Sequence, residues 1–251
     1  LTQYIKPKLM PCPFGQGIFK EQRMKNKTKS AARVLALLLA LALPLGCAAC
    51  SKDSTDPEPT AAASQEMENL DVGSGLEIVS VGRYAGLYVE DGSDDTVSDV
   101  FCIRVKNNGE SDVQYAHITL TRGSESYNFD LSTLPVGETV QALELERQKL
   151  PENTAELAAA VTLFAPFDEP LSMHSDKFEI SASDSTVTIK NISGEDYSQV
   201  YVYYKNSGSD MLIGGITYRV GTPLAAGESI NCYTSHYSDG ASRLLFVSYV
   251  Q

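Results

Sequence analysis

The chain has 251 residues, with 20 Lys and Arg against 32 Asp and Glu for a formal net charge of −12, and it contains no Trp and 5 Cys. An acid excess of this size disfavours nucleic acid as a partner, because phosphate backbones are held by cationic surfaces. So few cysteines exclude the disulfide-dense scaffolds of small secreted domains.

In chain order, residues 1–23 do not fit the export pattern that begins at Met24 and are expected to be an upstream extension, with Met24 the true start. Codons for Lys20-Glu21 can spell a bacterial ribosome-binding sequence, two codons before Met24. Lys25, Lys27, Lys29 and Arg33 then make a positive region, and residues 34–45 (VLALLLALALPL) form an apolar run of 12 residues. A membrane-spanning helix needs about 20 residues, so the run is read as the hydrophobic part of an export signal. Small residues and two cysteines come next, as Gly46-Cys47-Ala48-Ala49-Cys50-Ser51.

This order resembles the signal peptide and lipobox of bacterial lipoproteins, and the resemblance covers residues 24–51. It implies a signal peptide over 24–50, a lipid on a cysteine thiol, and cleavage that leaves that cysteine as the new N-terminus. Cys50, preceded by Ala48 and Ala49, is the expected attachment residue; Cys47, preceded by Gly46, is the alternative, and an ordinary secretory signal with unmodified cysteines is a third reading. Residues 1–50 hold eight of the basic residues and one of the acidic ones, which leaves 12 against 31, net −19, on the remainder. A surface of that charge is not drawn to acidic headgroups, so attachment to a membrane has to come through the acylated cysteine.

Residues 51–75 (SKDSTDPEPTAAASQEMENLDVGSG) have few large apolar side chains and no sustained period, which predicts a disordered acidic tether reaching about 25–30 Å. From residue 76 onward, short alternating runs rich in Val, Ile, Thr and Tyr, broken by Gly, Asn, Asp and Pro, predict an all-β chain of antiparallel strands. Side chains alternate across a strand. The expected inward sets are therefore Phe101, Ile103 and Val105; Ala116, Ile118 and Leu120; Val187 and Ile189; Val200, Val202 and Tyr204; and Ile216, Tyr218 and Val220.

The two halves resemble each other. Ile103-Arg-Val-Lys-Asn107 overlies Val187-Thr-Ile-Lys-Asn191 at an offset of 84, which also carries Asp112 onto Asp196. Leu134-Pro-Val-Gly-Glu-Thr-Val140 overlies Leu224-Ala-Ala-Gly-Glu-Ser-Ile230 at an offset of 90, and the six additional residues are expected in a longer hairpin around Gly214-Gly215. The Leu-x-x-Gly-Glu-Thr/Ser-Val/Ile segment resembles a recurring feature of immunoglobulin-like and fibronectin-type modules. That resemblance implies two tandem antiparallel β-sandwich domains, residues 76–166 and 176–251, without the Cys-Trp-Cys signature of antibody domains. Cys102 and Cys232 sit at non-equivalent places in them and are expected to be unpaired.

Candidate chemistry is sparse. His117, His174 and His236 show no metal-ligand spacing, no Gly-x-Ser-x-Gly elbow occurs, and neither enzyme activity nor a cofactor is expected. The loop from Glu90 through Asp91, Asp94 and Asp95 gathers oxygen ligands that suit either a weak calcium site or a solvated hairpin tip. Tyr201 and Tyr203, two apart on the outward side of their strand, form the expected contact face, because tyrosine is favoured at interfaces. The leading expectation is a non-catalytic binding, adhesion or spacer lipoprotein of the cell envelope, lipid-anchored to the outer face of a bacterial membrane. Its partners would be membrane lipid through the acylated cysteine and an extracellular protein or glycan. A solute-binding lipoprotein of a transporter and an envelope hydrolase are the alternatives.

Overall fold

Alternation of apolar and polar residues, with turn-forming residues between the runs, leaves the chain no way to bury its hydrophobic faces except as stacked sheets. A computed structural model describes residues 69–251, Asp94 apart. The signal segment, Cys47, Cys50 and tether residues 51–68 lie outside the described residues. Thirteen strands and no helix occur among the described residues: β1 (Leu70–Gly73), β2 (Leu76–Leu87), β3 (Thr96–Asn107), β4 (Val113–Arg122), β5 (Glu125–Leu134), β6 (Thr139–Leu143), β7 (Ala158–Pro166), β8 (Phe178–Ser183), β9 (Thr186–Asn191), β10 (Tyr197–Ser207), β11 (Leu212–Leu224), β12 (Ser229–Tyr233) and β13 (Ser242–Val250). The end of the predicted tether is corrected here, because Leu70–Gly73 pairs antiparallel with β2 and the ordered sheet begins before residue 76.

The predicted inward sets largely hold. Phe101, Ile103, Val105, Ala116, Ile118, Leu120, Val187, Ile189, Val200, Val202 and Tyr204 are all buried. Two departures have clear causes. Cys102, on the face of β3 expected to be wet, is buried by Tyr84, Tyr88, Val100 and Leu143, so this stretch is covered on both sides. Ile216, Tyr218 and Val220 are only half-buried, and of these Tyr218 and Val220 pack against the second core.

In the first half β2, β3 and β6 pair side by side, as do β5, β4 and β7; in the second half the same is true of β8, β9 and β12, and of β11, β10 and β13. Strand for strand the pairings repeat. Each half centres on an apolar cluster, one around Phe101, Ile118 and Phe129, which Leu212 and Leu245 of the second half join, and the other around Phe178, Val202 and Tyr204.

The repeat extends to buried polar contacts. Asn107 Nδ2 donates to the carbonyls of Ser111 and Leu134, while its Oδ1 accepts from Gly109 N. Asn191 Nδ2 donates to the carbonyls of Glu195 and Ala225, and its Oδ1 accepts from Ser193 N. Asp112 Oδ1 accepts from Val136 N at 2.9 Å, and Asp196 Oδ1 from Ala226 N at 2.8 Å. The matching Leu-x-x-Gly-Glu turns are thus pinned in each half by an equivalent Asn and Asp, which gives the sequence repeat a physical reason.

The halves are joined by more than their connection. The hairpin between β10 and β11 is longer than its counterpart between β4 and β5, as the change of offset predicts, and the added length is used. Leu212 and Ile213 near its tip pair in parallel with Val140 and Gln141 of β6. One sheet of seven strands results, in the order β1-β2-β3-β6-β11-β10-β13. The described strands accordingly belong to one compact unit with two cores. The connecting segment at residues 167–177 is tied down too: Phe167 N donates to the Asp112 carbonyl, Leu171 N to Asp112 Oδ2, and Val247 N to the Ser172 carbonyl.

Candidate functional site

Because Val200, Val202 and Tyr204 point into the second core, strand alternation puts Tyr201 and Tyr203 on the opposite face of β10. Both rings are half-buried, and they belong to a longer row than the sequence suggested. The Tyr203 ring lies parallel to that of Phe246 on β13, centroids 4.1 Å apart and planes 6° from parallel. Phe246 meets Phe167 edge-on at 5.4 Å. Tyr201 stands 6.4 Å from Tyr203, and the Arg219 guanidinium from β11 sits 4.7 Å over the Tyr201 ring. Beneath Tyr201 lies Gly221, where a Cβ would come within 2.4 Å of the ring. Glycine is therefore what lets the ring lie flat against the neighbouring strand.

The row Arg219, Tyr201, Tyr203, Phe246, Phe167 is thus an ordered strip whose rings already contact one another. Stacking and edge contacts of this kind contribute about 0.5–1.5 kcal/mol beyond burial. Ser248 Oγ donates to the Tyr203 hydroxyl at 3.4 Å, so the polar ends are oriented as well. Phe167 and Phe246 were not legible as site residues, since one lies in a connection and the other in an ordinary-looking apolar run.

The acidic loop is organised by a cation of the protein's own. Arg147 reaches Asp91 at 2.9 Å and Asp95 at 3.1 Å, and its guanidinium also stacks 4.3 Å over the Tyr88 ring. Loss of hydration acts to raise the Asp91 carboxyl, but hydrogen bonds from Ser93 and the pairing to Arg147 together outweigh it and hold this carboxyl below the usual range. Asp94 lies outside the described residues. No group of three or more His, Cys, Asp or Glu arranged to hold a metal occurs among the described residues.

His117 points off the core face of β4 and shares Asp130 Oδ1 with Tyr115, each at 2.7 Å. Burial and the Asp130 carboxylate raise the Tyr115 hydroxyl well above its ordinary pKa. No serine or cysteine is hydrogen-bonded to the His117 ring among the described residues, so this trio reads as a cross-strand brace. Cys102 and Cys232 are free thiols, and burial pushes Cys102 up to about 11.

The constellation that sequence reading missed lies where the two halves meet. Lys205 on β10 is fully buried and Glu90, from the connection between β2 and β3, nearly so. Glu90 accepts hydrogen bonds from Leu143 N at 2.8 Å and Gly215 N at 2.7 Å, and so continues the β6–β11 seam beyond its last backbone pair. Lys205 Nζ donates to the carbonyls of Ser132 at 2.6 Å and Gly215 at 3.0 Å. Ser132 Oγ also donates to the Gly215 carbonyl and Thr217 Oγ1 to the Ser132 carbonyl. The peptide units of Gly215 are gripped by an anion at the N–H and a cation at the C=O. Loss of hydration drives the carboxyl pKa up and the ammonium pKa down, while the attraction between the two opposes both shifts. Next to Ser132, Thr133 is buried with φ of 49°, a strained conformation for a β-branched residue. The Gly-Gly pair within a strand pattern was the visible signal, since such glycines mark close backbone approach.

Comparison of the chain with protein-family models, with curated proteins and with solved structures finds no match. The residues themselves are what speak to function.

Proposed function

We propose that this protein is a lipid-anchored, non-catalytic binding protein of the bacterial cell envelope, whose two halves are immunoglobulin-like sandwiches and whose aromatic strip meets an extracellular partner. The observation that carries the binding part is the strip itself, four neighbouring rings capped by Arg219 on the outward face of β10 and its neighbours. Its placement supports presentation to a partner. The tether enters at β1 and the strip is centred on β10, five strands further along the sheet, about 24 Å at ordinary strand spacing. Tyrosine, phenylalanine and arginine are the side chains that interfaces favour, because large rings are covered at low cost in side-chain entropy. The anchor rests on the basic region, the 12-residue apolar run and the cysteines that come after it.

Two measurements test this reading. In cells fed labelled palmitate, Cys50→Ala should abolish incorporation and release the protein in soluble form; retention of label in Cys50→Ala and its loss in Cys47→Ala would move the anchor to Cys47. For the strip, the Tyr201→Ser, Tyr203→Ser double variant should lose binding to envelope or host glycan and protein arrays by at least about tenfold, the scale of a lost hot spot. Because Tyr203 stacks on Phe246, the same variant should also cost about 1 kcal/mol of stability. Unchanged binding at full occupancy of the array would sink the strip as a contact face.

A further inference from the structure

The seam between the halves is short where its backbone pairs and unusually polar where it does not. Only Leu212 with Val140 and Ile213 with Gln141 register in parallel across it. Beyond that point the strands are held through the side chains of Glu90 and Lys205, which bind opposite ends of the peptide units at Gly215. Neither charge belongs to an apolar cluster; the second cluster is built from the second half alone, while the first also takes in Leu212 of β11, with Leu245 of β13 packed against it. Isolated buried charges are costly, and removing one member of a buried pair exposes that cost in the other. Tyr84 on β2 and Tyr88 after it face Glu90; Cys102 on β3 in turn faces Tyr84, and Asp91, Glu144 and the Arg147 cation face Tyr88. Lys205 is the cation whose attraction favours the ionised form of Glu90.

From this arrangement we propose that Glu90 and Lys205 form a latch: with both charges in place the halves move as one rigid body, and with either charge lost the β6–β11 seam parts while each half stays folded on its own core. The connection at 167–177 then becomes the hinge, and the edges of β6 and β11 become free. The binding strip on β10 would be held at a fixed orientation to the tether in the latched form and released from it in the other. This inference stands on the seam alone and does not depend on what the strip binds.

Hydrogen exchange of individual amides separates opening of the seam from loss of the fold, because local opening and global unfolding expose different sets of amides. In residues 51–251, Glu90→Gln and Lys205→Met are each expected to speed exchange at Leu143 N and Gly215 N by about a hundredfold or more. The amides of Ile118 and Val202, one in each core, should keep their wild-type rates. Solution scattering of the same variants should show a longer maximum dimension. Equal acceleration in both cores, loss of folded signal throughout, or unaltered protection at Leu143 and Gly215 would each overturn the latch, the first two because the pair would then belong to one indivisible core.

Discussion

Gly215→Ala is expected to destabilise the protein by about 3 kcal/mol or more, lowering the thermal midpoint by roughly 6–12 °C for a folded unit of this size. The reason is geometric. A Cβ at Gly215 would stand 1.8 Å from the backbone carbonyl oxygen of Asp130 and 2.8 Å from Glu90 Oε2. A flexible side chain could move aside, but Asp130 is in the middle of β5, paired to His117 across the sheet, and cannot retreat without breaking that register. The relief is for β11 to pull away from β5, which unmakes the bonds from Gly215 N to Glu90, from Lys205 Nζ to the Ser132 carbonyl and from Ser132 Oγ to the Gly215 carbonyl together. Gly194→Ala is the control. Its Cβ would meet nothing within 4 Å, and its φ does not lie in the left-handed region, so a change within about 0.5 kcal/mol is expected in urea or thermal unfolding. A Gly215→Ala protein as stable as wild type would mean that the approach of β11 to β5 is not close.

Much of the architecture could be read from period-two patterning, because burial of one sheet face fixes which residues point inward. Ala116, Ile118 and Leu120, and their counterparts Val200, Val202 and Tyr204, were placed correctly on that basis alone. Patterning failed where a second layer covers the other face. Cys102 has the parity of a solvent position yet is buried, and Lys205 shares the outward parity of Tyr201 and Tyr203 but lies beyond a register shift in β10, against the first half. A lysine in such a run reads as solvated from sequence, since lysine is almost never fully buried unless it is paired. Its burial depends on Ser132 at the end of β5, far back in the chain, and nothing local encodes that. The change of offset between the two copies was visible, and so was its place in the β10–β11 hairpin. What the added length touches, the edge of β6, is set by tertiary packing that no local pattern encodes. The strip was half legible: Tyr201 and Tyr203 follow from alternation, whereas Phe246 and Phe167 join it only through pairing of β13 and the path of the connection.

The two halves also make a test of whether the repeat is physical. Asn107→Ala and Asn191→Ala are each expected to cost about 1–3 kcal/mol, since the first removes three hydrogen bonds and the second four, and each leaves partly buried backbone groups without their partner. In the first half the carbonyls of Ser111 and Leu134 lose their donor and Gly109 N its acceptor; in the second, the carbonyls of Glu195 and Ala225 and Ser193 N are left in the same position. Both asparagines are buried and three bonds of the clamp are repeated, the second half adding one from Ser193 Oγ to Asn191 Oδ1, so the two costs should agree within about 1 kcal/mol. The pair shares no partner and belongs to different cores, so the double variant should be additive to within about 0.5 kcal/mol. Chemical denaturation followed by a probe in each half measures this directly. If one substitution proves nearly silent while the other is severe, the matching side chains are a coincidence of β-rich sequence. If both are severe but strongly non-additive, the seam couples the cores so tightly that neither half has a stability of its own.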